Sequence, residues 1–210
     1  MAQVYLPIFP LPDVTFFPHT LLPLHIFEPR YRAMITDCLA RDKRLAVVGL
    51  EPGHEADYQG KPPVRRIGGA GEIVHWERLA TGRYNILVRG RDRIAIEREM
   101  PTDTLYRMAL VSRLGESGGD GARVPRLVEA VKARCRQVLE AVGRRRPDID
   151  GLLSAPGPPG MLCDQIASAI VPYPAIRQAL LEEVHVERRL AGLARALDEL
   201  RKRVGGGGLP

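Results

Sequence analysis

The chain has 210 residues, 45% hydrophobic and 27% charged, ordinary values for a globular protein able to bury roughly 70% of its unfolded surface. Three cysteines, Cys38, Cys135 and Cys163, lie far apart and are odd in number, which argues against a disulfide framework and for a reducing compartment. The net charge of +6 divides into 16 Lys+Arg against 14 Asp+Glu over residues 1–116 and 15 against 11 over 117–210, so neither half reads as a strongly basic nucleic-acid module. No basic stretch followed by a long apolar run opens the chain, and the apolar stretch Leu21–Phe27 is short and broken by Pro23 and His25. Neither a secretory leader nor a membrane span is expected, and the expected location is cytoplasmic.

Val4–Pro7 reads as a short extended segment, and Pro10, Pro12, Pro18 and Pro23 then impose a looping, extended path. Pro29 suits the first turn of a helix, on which Tyr31, Met34, Ile35, Cys38 and Leu39 share one apolar face. Leu45–Leu50 is a strand-length apolar run. Residues 51–69, rich in Gly and Pro, read as a long loop, with the Gly68-Gly69-Ala70-Gly71 cluster as a tight turn. Residues 72–79 and 83–88 flank Thr81-Gly82 as a hairpin, in which Tyr84, Ile86 and Val88 point one way and Asn85, Leu87 and Arg89 the other. Further strands are expected at 93–97 and 105–114. The pattern predicts a small barrel or sandwich with one inserted helix.

Glycines between 115 and 121 mark a break, after which the spacing turns helical. Val124, Leu127, Val128, Val131, Cys135, Val138, Leu139 and Val142 keep one face over five turns. Residues 144–160 hold four prolines and read as a loop, 161–171 as a short helix. Pro174 opens a last helix carrying Leu190, Leu193, Leu197, Leu200 and Val204. The expected architecture is α+β: a β-rich domain over 1–116, a helical domain over 117–204 and a disordered tail at 205–210.

The stretch Leu6-Pro7-Ile8-Phe9-Pro10-Leu11, then Phe17-Pro18, then Leu22-Pro23-Leu24-His25-Ile26-Phe27-Glu28-Pro29-Arg30-Tyr31 resembles the opening signature of the Lon protease N-terminal domain family, in the form of its bacterial stand-alone members. Gly71-Glu72-Ile73, the block from Gly82 to Arg93, Gln178–Glu182 and Arg188-Arg189-Leu190 extend the likeness over roughly residues 4–203. The resemblance implies a PUA-like β-barrel followed by a helical bundle, and a role in recognising polypeptides. Full-length Lon continues into an ATPase and a serine–lysine peptidase, whereas this sequence stops at Pro210.

No Gly-x-x-x-x-Gly-Lys-Ser/Thr loop occurs, and the glycine cluster at 68–71 precedes a strand rather than the helix a phosphate cradle needs. None of Ser112, Ser117, Ser154 and Ser168 sits in Gly-x-Ser-x-Gly. The five histidines lack His-Glu-x-x-His spacing and no Cys-x-x-Cys exists, so neither a metal nor a cofactor is expected, nor catalysis. A binding protein remains, with an unfolded or extended polypeptide and a protease as expected partners.

Phe16 and Phe17 are adjacent, so an extended backbone turns only one of them inward. Phe16 and Trp76 are the expected exposed apolar contacts, and Tyr84 completes the candidate polypeptide-binding set. The alternative is a PUA-like RNA-binding module, with Arg89, Arg91 and Arg93 as a basic strand face and stacking on Trp76 or Tyr84. Arginines gathered on one face favour RNA; dispersed arginines favour polypeptide.

Overall fold

A computed structural model describes residues 3–54, 56, 58, 60–143 and 146–205. The chain divides into two compact units, Met1–Leu114 and Gly115–Pro210. The first holds β1 (Gln3–Leu11), β2 (Leu21–Ile26), α1 (Pro29–Ala40), β3 (Arg44–Gly49), β4 (Ile67–Arg78), β5 (Tyr84–Met100) and β6 (Arg107–Leu114). The strands run β2-β5-β4-β3-β1-β6, and a further β5–β6 pairing closes five of them into a barrel; among the described residues β2 is attached to β5 alone. The segments expected at 83–88 and 93–97 are one continuous strand, β5. It is 17 residues long, pairs with β2 over 84–89 and with β4 over 84–95, and reaches β6 from Arg93 onward.

Two apolar cores follow from the alternation along the strands. Leu6, Ile8, Ala46, Val48, Ala70, Ile94, Ile96, Ala109 and Val111 fill the barrel interior. On the other side of the sheet, Tyr31, Met34, Ile35 and Cys38 of α1 pack on Phe9, Leu45, Val47, Ile73, Ile86 and Val88. β3 is buried on both faces, which explains its unbroken apolar run.

The residues between β1 and β2 lie across the sheet. Phe16 and Phe17 are both buried, so the expectation that one of them faces solvent is corrected: this segment is not a strand, and strand alternation does not bind it. The glycines of β4 and β5 admit the crossing. A Cβ on Gly69 would strike the Phe16 carbonyl oxygen, one on Gly71 the Phe16 ring, and one on Gly90 the Phe17 carbonyl oxygen. The cluster at 68–71 is thus part of strand β4 and not a tight turn. Gly90 also binds the crossing chain, donating its N–H to the Thr20 carbonyl (2.9 Å) and accepting the His19 N–H (3.0 Å).

The second unit holds α2 (Val124–Val142), α3 (Pro147–Ser154), α4 (Pro159–Ile170), α5 (Pro174–Glu182) and α6 (Val186–Gly205). Its main helix pair buries Val131, Cys135 and Val138 of α2 and Leu190, Leu193, Leu197 and Leu200 of α6. Two expectations are corrected here. The proline-rich loop contains α3, because Pro147 occupies the first helical turn, where a missing N–H costs nothing. The single last helix is two, divided at 183–185. Arg144 and Arg145 lie outside the described residues, as does the expected disordered tail apart from Gly205, which ends α6.

The fully buried Arg189 organises this unit. It donates to the Glu183 carbonyl (2.9 Å) and to the Glu116 carboxylate, and its Nε lies 3.3 Å from the buried Asp164 carboxylate. A Cβ on Gly160 would intrude on this cluster.

Two stability outcomes are expected in urea denaturation. Gly90→Ala should cost at least about 1–3 kcal/mol, because the crossing backbone must move to admit the methyl group. Arg189→Ala should cost about 3–5 kcal/mol by leaving Asp164 buried without its cation, and the double replacement Arg189→Met/Asp164→Leu should recover much of that loss.

Candidate functional site

The site is the solvent-facing side of the β2–β5–β4 sheet together with the unpaired edge of β2. Register puts Leu21, Pro23 and His25 of β2 opposite Arg89, Leu87 and Asn85 of β5. Those in turn lie opposite Glu72, His75 and Glu77 of β4. Burial alternates along β2: Leu22, Leu24 and Ile26 are directed to the core side, and Leu21, Pro23 and His25 to solvent. Leu21 is 56% exposed, and Phe27, just beyond the strand, 57%. His25 stacks on Phe27 with ring centroids 6.3 Å apart. One polar ladder crosses the face, from His25 Nδ1 to Asn85 Oδ1 (2.7 Å) and from Asn85 Nδ2 to Glu77 Oε2 (3.3 Å). Beside it Leu21, Pro23 and the half-buried Leu87 form an apolar strip.

Among the described residues no strand pairs with the outer edge of β2. Main-chain groups along an antiparallel pair alternate between facing the partner and facing away. Since Gly90 donates to Thr20, the residues in step with Thr20, namely Leu22, Leu24 and Ile26, bond to β5. Leu21, Pro23 and His25 therefore present their main-chain groups outward. Pro23 lacks an N–H and offers a carbonyl only, as befits an edge strand.

The residues singled out from sequence separate in space. Phe16 is a core residue, 2% exposed, and not an exposed contact. Tyr84 is likewise buried; its hydroxyl shares a 3.1 Å hydrogen bond with that of Thr36, and the Arg78 guanidinium lies 5.9 Å from its ring centre. Trp76 is 41% exposed, on the core side of the sheet at its rim, with the Lys43 ammonium 4.4 Å from its ring centre. Lys43 holds this position from a left-handed backbone conformation, φ 59°.

The basic strand face does not form. Arg89 is exposed, Arg91 is paired with Glu72 at 2.9 Å, and Arg93 is 2% exposed. The reason is a β-bulge: β4 residues Ala70 and Gly71 pair with Asp92 and Gly90, leaving Arg91 as the extra residue. An extra residue reverses the alternation, so Arg89 and Arg93 point to opposite faces. A second irregularity, between Ile73 and His75, likewise turns Trp76 to the core side.

Leu21 and Phe27 were not among the candidate contacts that the sequence suggested. The available signal was a period of two over 21–26 with Pro23 on the outward phase, the pattern of an edge strand. No cluster of three metal-ligating side chains occurs among the described residues. All three thiols are buried, and burial pushes Cys38 up to about 12 and Cys135 up to about 11, so neither is a nucleophile at neutral pH. No described helix is long and apolar enough to cross a membrane.

With this geometry in place, the comparisons with known proteins agree on one family. The family model for the ATP-dependent protease La (LON) substrate-binding domain matches residues 5–199, and the chain belongs to that family. A Lon protease of Xanthomonas oryzae pv. oryzae is 28% identical over 211 residues, covering 96% of this chain and 24% of that protein. A Lon protease of Roseiflexus castenholzii is 29% identical over 199 residues, covering 94% and 24%. The chain thus spans about a quarter of the length of the curated relatives it matches. Among solved structures, the N-terminal domain of the Mycobacterium avium complex Lon protease superposes with a TM-score of 0.73 at 21% identity, covering 93% of this chain and 99% of that one. A Lon N-terminal domain protein from Xanthomonas campestris gives 0.66 at 20% identity, covering 91% and 98%. At these identities the likeness establishes the fold, an α+β arrangement of sheet and helical bundle.

The contrast between the two aromatics is measurable in urea. Tyr84→Ala should cost about 3–5 kcal/mol as a core truncation, whereas Trp76→Ala should stay within about 1 kcal/mol.

Proposed function

We propose that this chain is a polypeptide-binding module without catalysis of its own, which captures extended apolar segments along the outer edge of β2 and serves protein quality control beside a protease. The observation that carries the reading is the unpaired β2 edge with Leu21 and Phe27 exposed on either end of it. A client strand added there gains main-chain hydrogen bonds to Leu21 and His25, while its alternate side chains meet the apolar strip of Leu21, Pro23 and Leu87. Sequence tolerance follows, because the ladder reads backbone and the strip reads only apolar surface. Pro23 removes one donor from the edge, which keeps the pairing short and discourages two copies from pairing edge to edge. The ordering entropy lost by an unfolded client keeps each contact weak and reversible. Membership of a substrate-binding family supports the same reading.

RNA binding has lost its main support, since Arg89, Arg91 and Arg93 do not share a face. Fluorescence anisotropy with a labelled unfolded polypeptide, across a salt series, tests the proposal. Binding should persist at high salt and weaken at least about tenfold in Leu21→Asp and in Phe27→Ser, the loss of roughly one buried apolar side chain each. Binding that both variants leave unchanged would overturn the edge as the site. Tight RNA binding that falls steeply with salt, without polypeptide binding, would overturn the function.

A further inference from the structure

A second concavity, of about 350 Å³, opens in the β unit between β1, the start of α1 and the turn joining β5 to β6. It shares no lining residue with the β2 edge. Tyr31, Tyr58 and Tyr106 line it, together with Leu105, which is 70% exposed. Burial raises the hydroxyls of all three tyrosines further above the physiological range, in which a phenol is already neutral.

The charge on this cavity is one-sided. Arg30, Lys61 and Arg107 line it, and among the described residues no carboxylate does. The two guanidiniums are already committed to the scaffold. Arg30 donates to Glu28 (3.1 Å), to the Tyr58 carbonyl (2.9 Å) and to the Gly60 carbonyl (3.2 Å). Arg107 donates through Nε to Glu99 (2.9 Å) and through Nη1 to the Pro62 carbonyl (2.8 Å). Glu28 and Glu99 thereby neutralise them from outside the cavity. Lys61 is exposed at the rim and no described carboxylate pairs with it. Among the described residues, what remains is one cation without a carboxylate partner, beside a largely aromatic wall.

We propose that this cavity binds a carboxylate carried on an apolar or aromatic body, with Lys61 as the charge partner and the tyrosine lining holding the body. A single available ammonium matches a singly charged carboxylate, whereas a phosphate carries more charge and calls for several converging donors. A volume near the lower bound of ligand pockets suits one ring or one side chain. Two sources present this chemistry: a small organic acid, and the C-terminal residue of a polypeptide.

The test is a titration of the full ¹⁵N-labelled chain with N-acetyl-phenylalanine and, separately, with N-acetyl-phenylalaninamide, followed at the backbone amides of Lys61, Leu105 and Arg107. The acid should give saturable shifts there, with the amide about tenfold weaker or more. Lys61→Met, a change at an exposed side chain, should reduce acid binding to the level of the amide. Equal affinity for acid and amide, an unaltered affinity in Lys61→Met, or absence of shifts at these three positions would each overturn the proposal. A tetrapeptide Ala-Ala-Ala-Phe with a free carboxyl then identifies the source. Binding at least as tight as that of the free acid assigns the cavity to chain ends, and binding of the small acid alone assigns it to a small molecule. Leu21→Asp should leave these titrations unchanged, so failure of the β2-edge reading and failure of this one are told apart.

Discussion

The β unit depends on a close crossing of backbone over backbone. Phe16 and Phe17 run over three strand positions, Gly69, Gly71 and Gly90, where any side chain would occupy the space taken by a carbonyl or a ring. With the crossing seated, Phe16 fills the core beneath α1, and both main-chain groups of Gly90 are satisfied by His19 and Thr20. That last contact sets the phase of β2 on β5. It determines that Leu21, Pro23 and His25, and not their neighbours, turn their main-chain groups to the unpaired edge. Three small residues in the sheet thus govern which atoms the candidate site presents.

Two bulges then distribute the side chains. The extra residue at Arg91 lets the first half of β5 face α1 with Tyr84, Ile86 and Val88, while the second half faces the barrel interior with Ile94 and Ile96. One long strand can serve both cores only if its alternation is reversed partway. The same reversal separates Arg89 from Arg93 and disperses the charge that a nucleic-acid surface would have concentrated. The irregularity at Val74 has the parallel effect on β4, sending Trp76 to the rim on the core side, where Lys43 covers it.

An exposed apolar strip beside an unpaired strand edge is a hazard in a protein with no use for it, because it templates association. Here it is short, interrupted by Pro23 and bordered by the His25–Asn85–Glu77 ladder. Those features limit edge-to-edge association of the strand and fit the brief capture of extended chains proposed above. The substrate-binding family to which the chain belongs gives such a surface a reason to exist.

The amino-acid sequence by itself determined the α+β order of elements, the face of α1, the stripes of α2 and α6, and the family, because each is written in local periodicity or in a contiguous motif. Tertiary structure alone decided the rest. Pro147 reads locally as a break yet starts α3, because the first helical turn tolerates a proline; Gly68–Gly71 reads as a turn yet lies in β4, because pairing with β3 and β5 holds it extended. Phe16 and Tyr84 look like available aromatics until the crossing segment and the α1 side of the sheet enclose them. The face on which Arg89, Arg91 and Arg93 emerge hung on one bulged residue, whose position is set by pairing between β4 and β5. Strand alternation has a period of two, so a shift of one residue exchanges core for solvent, and nothing within the strand's own sequence records that the shift has occurred.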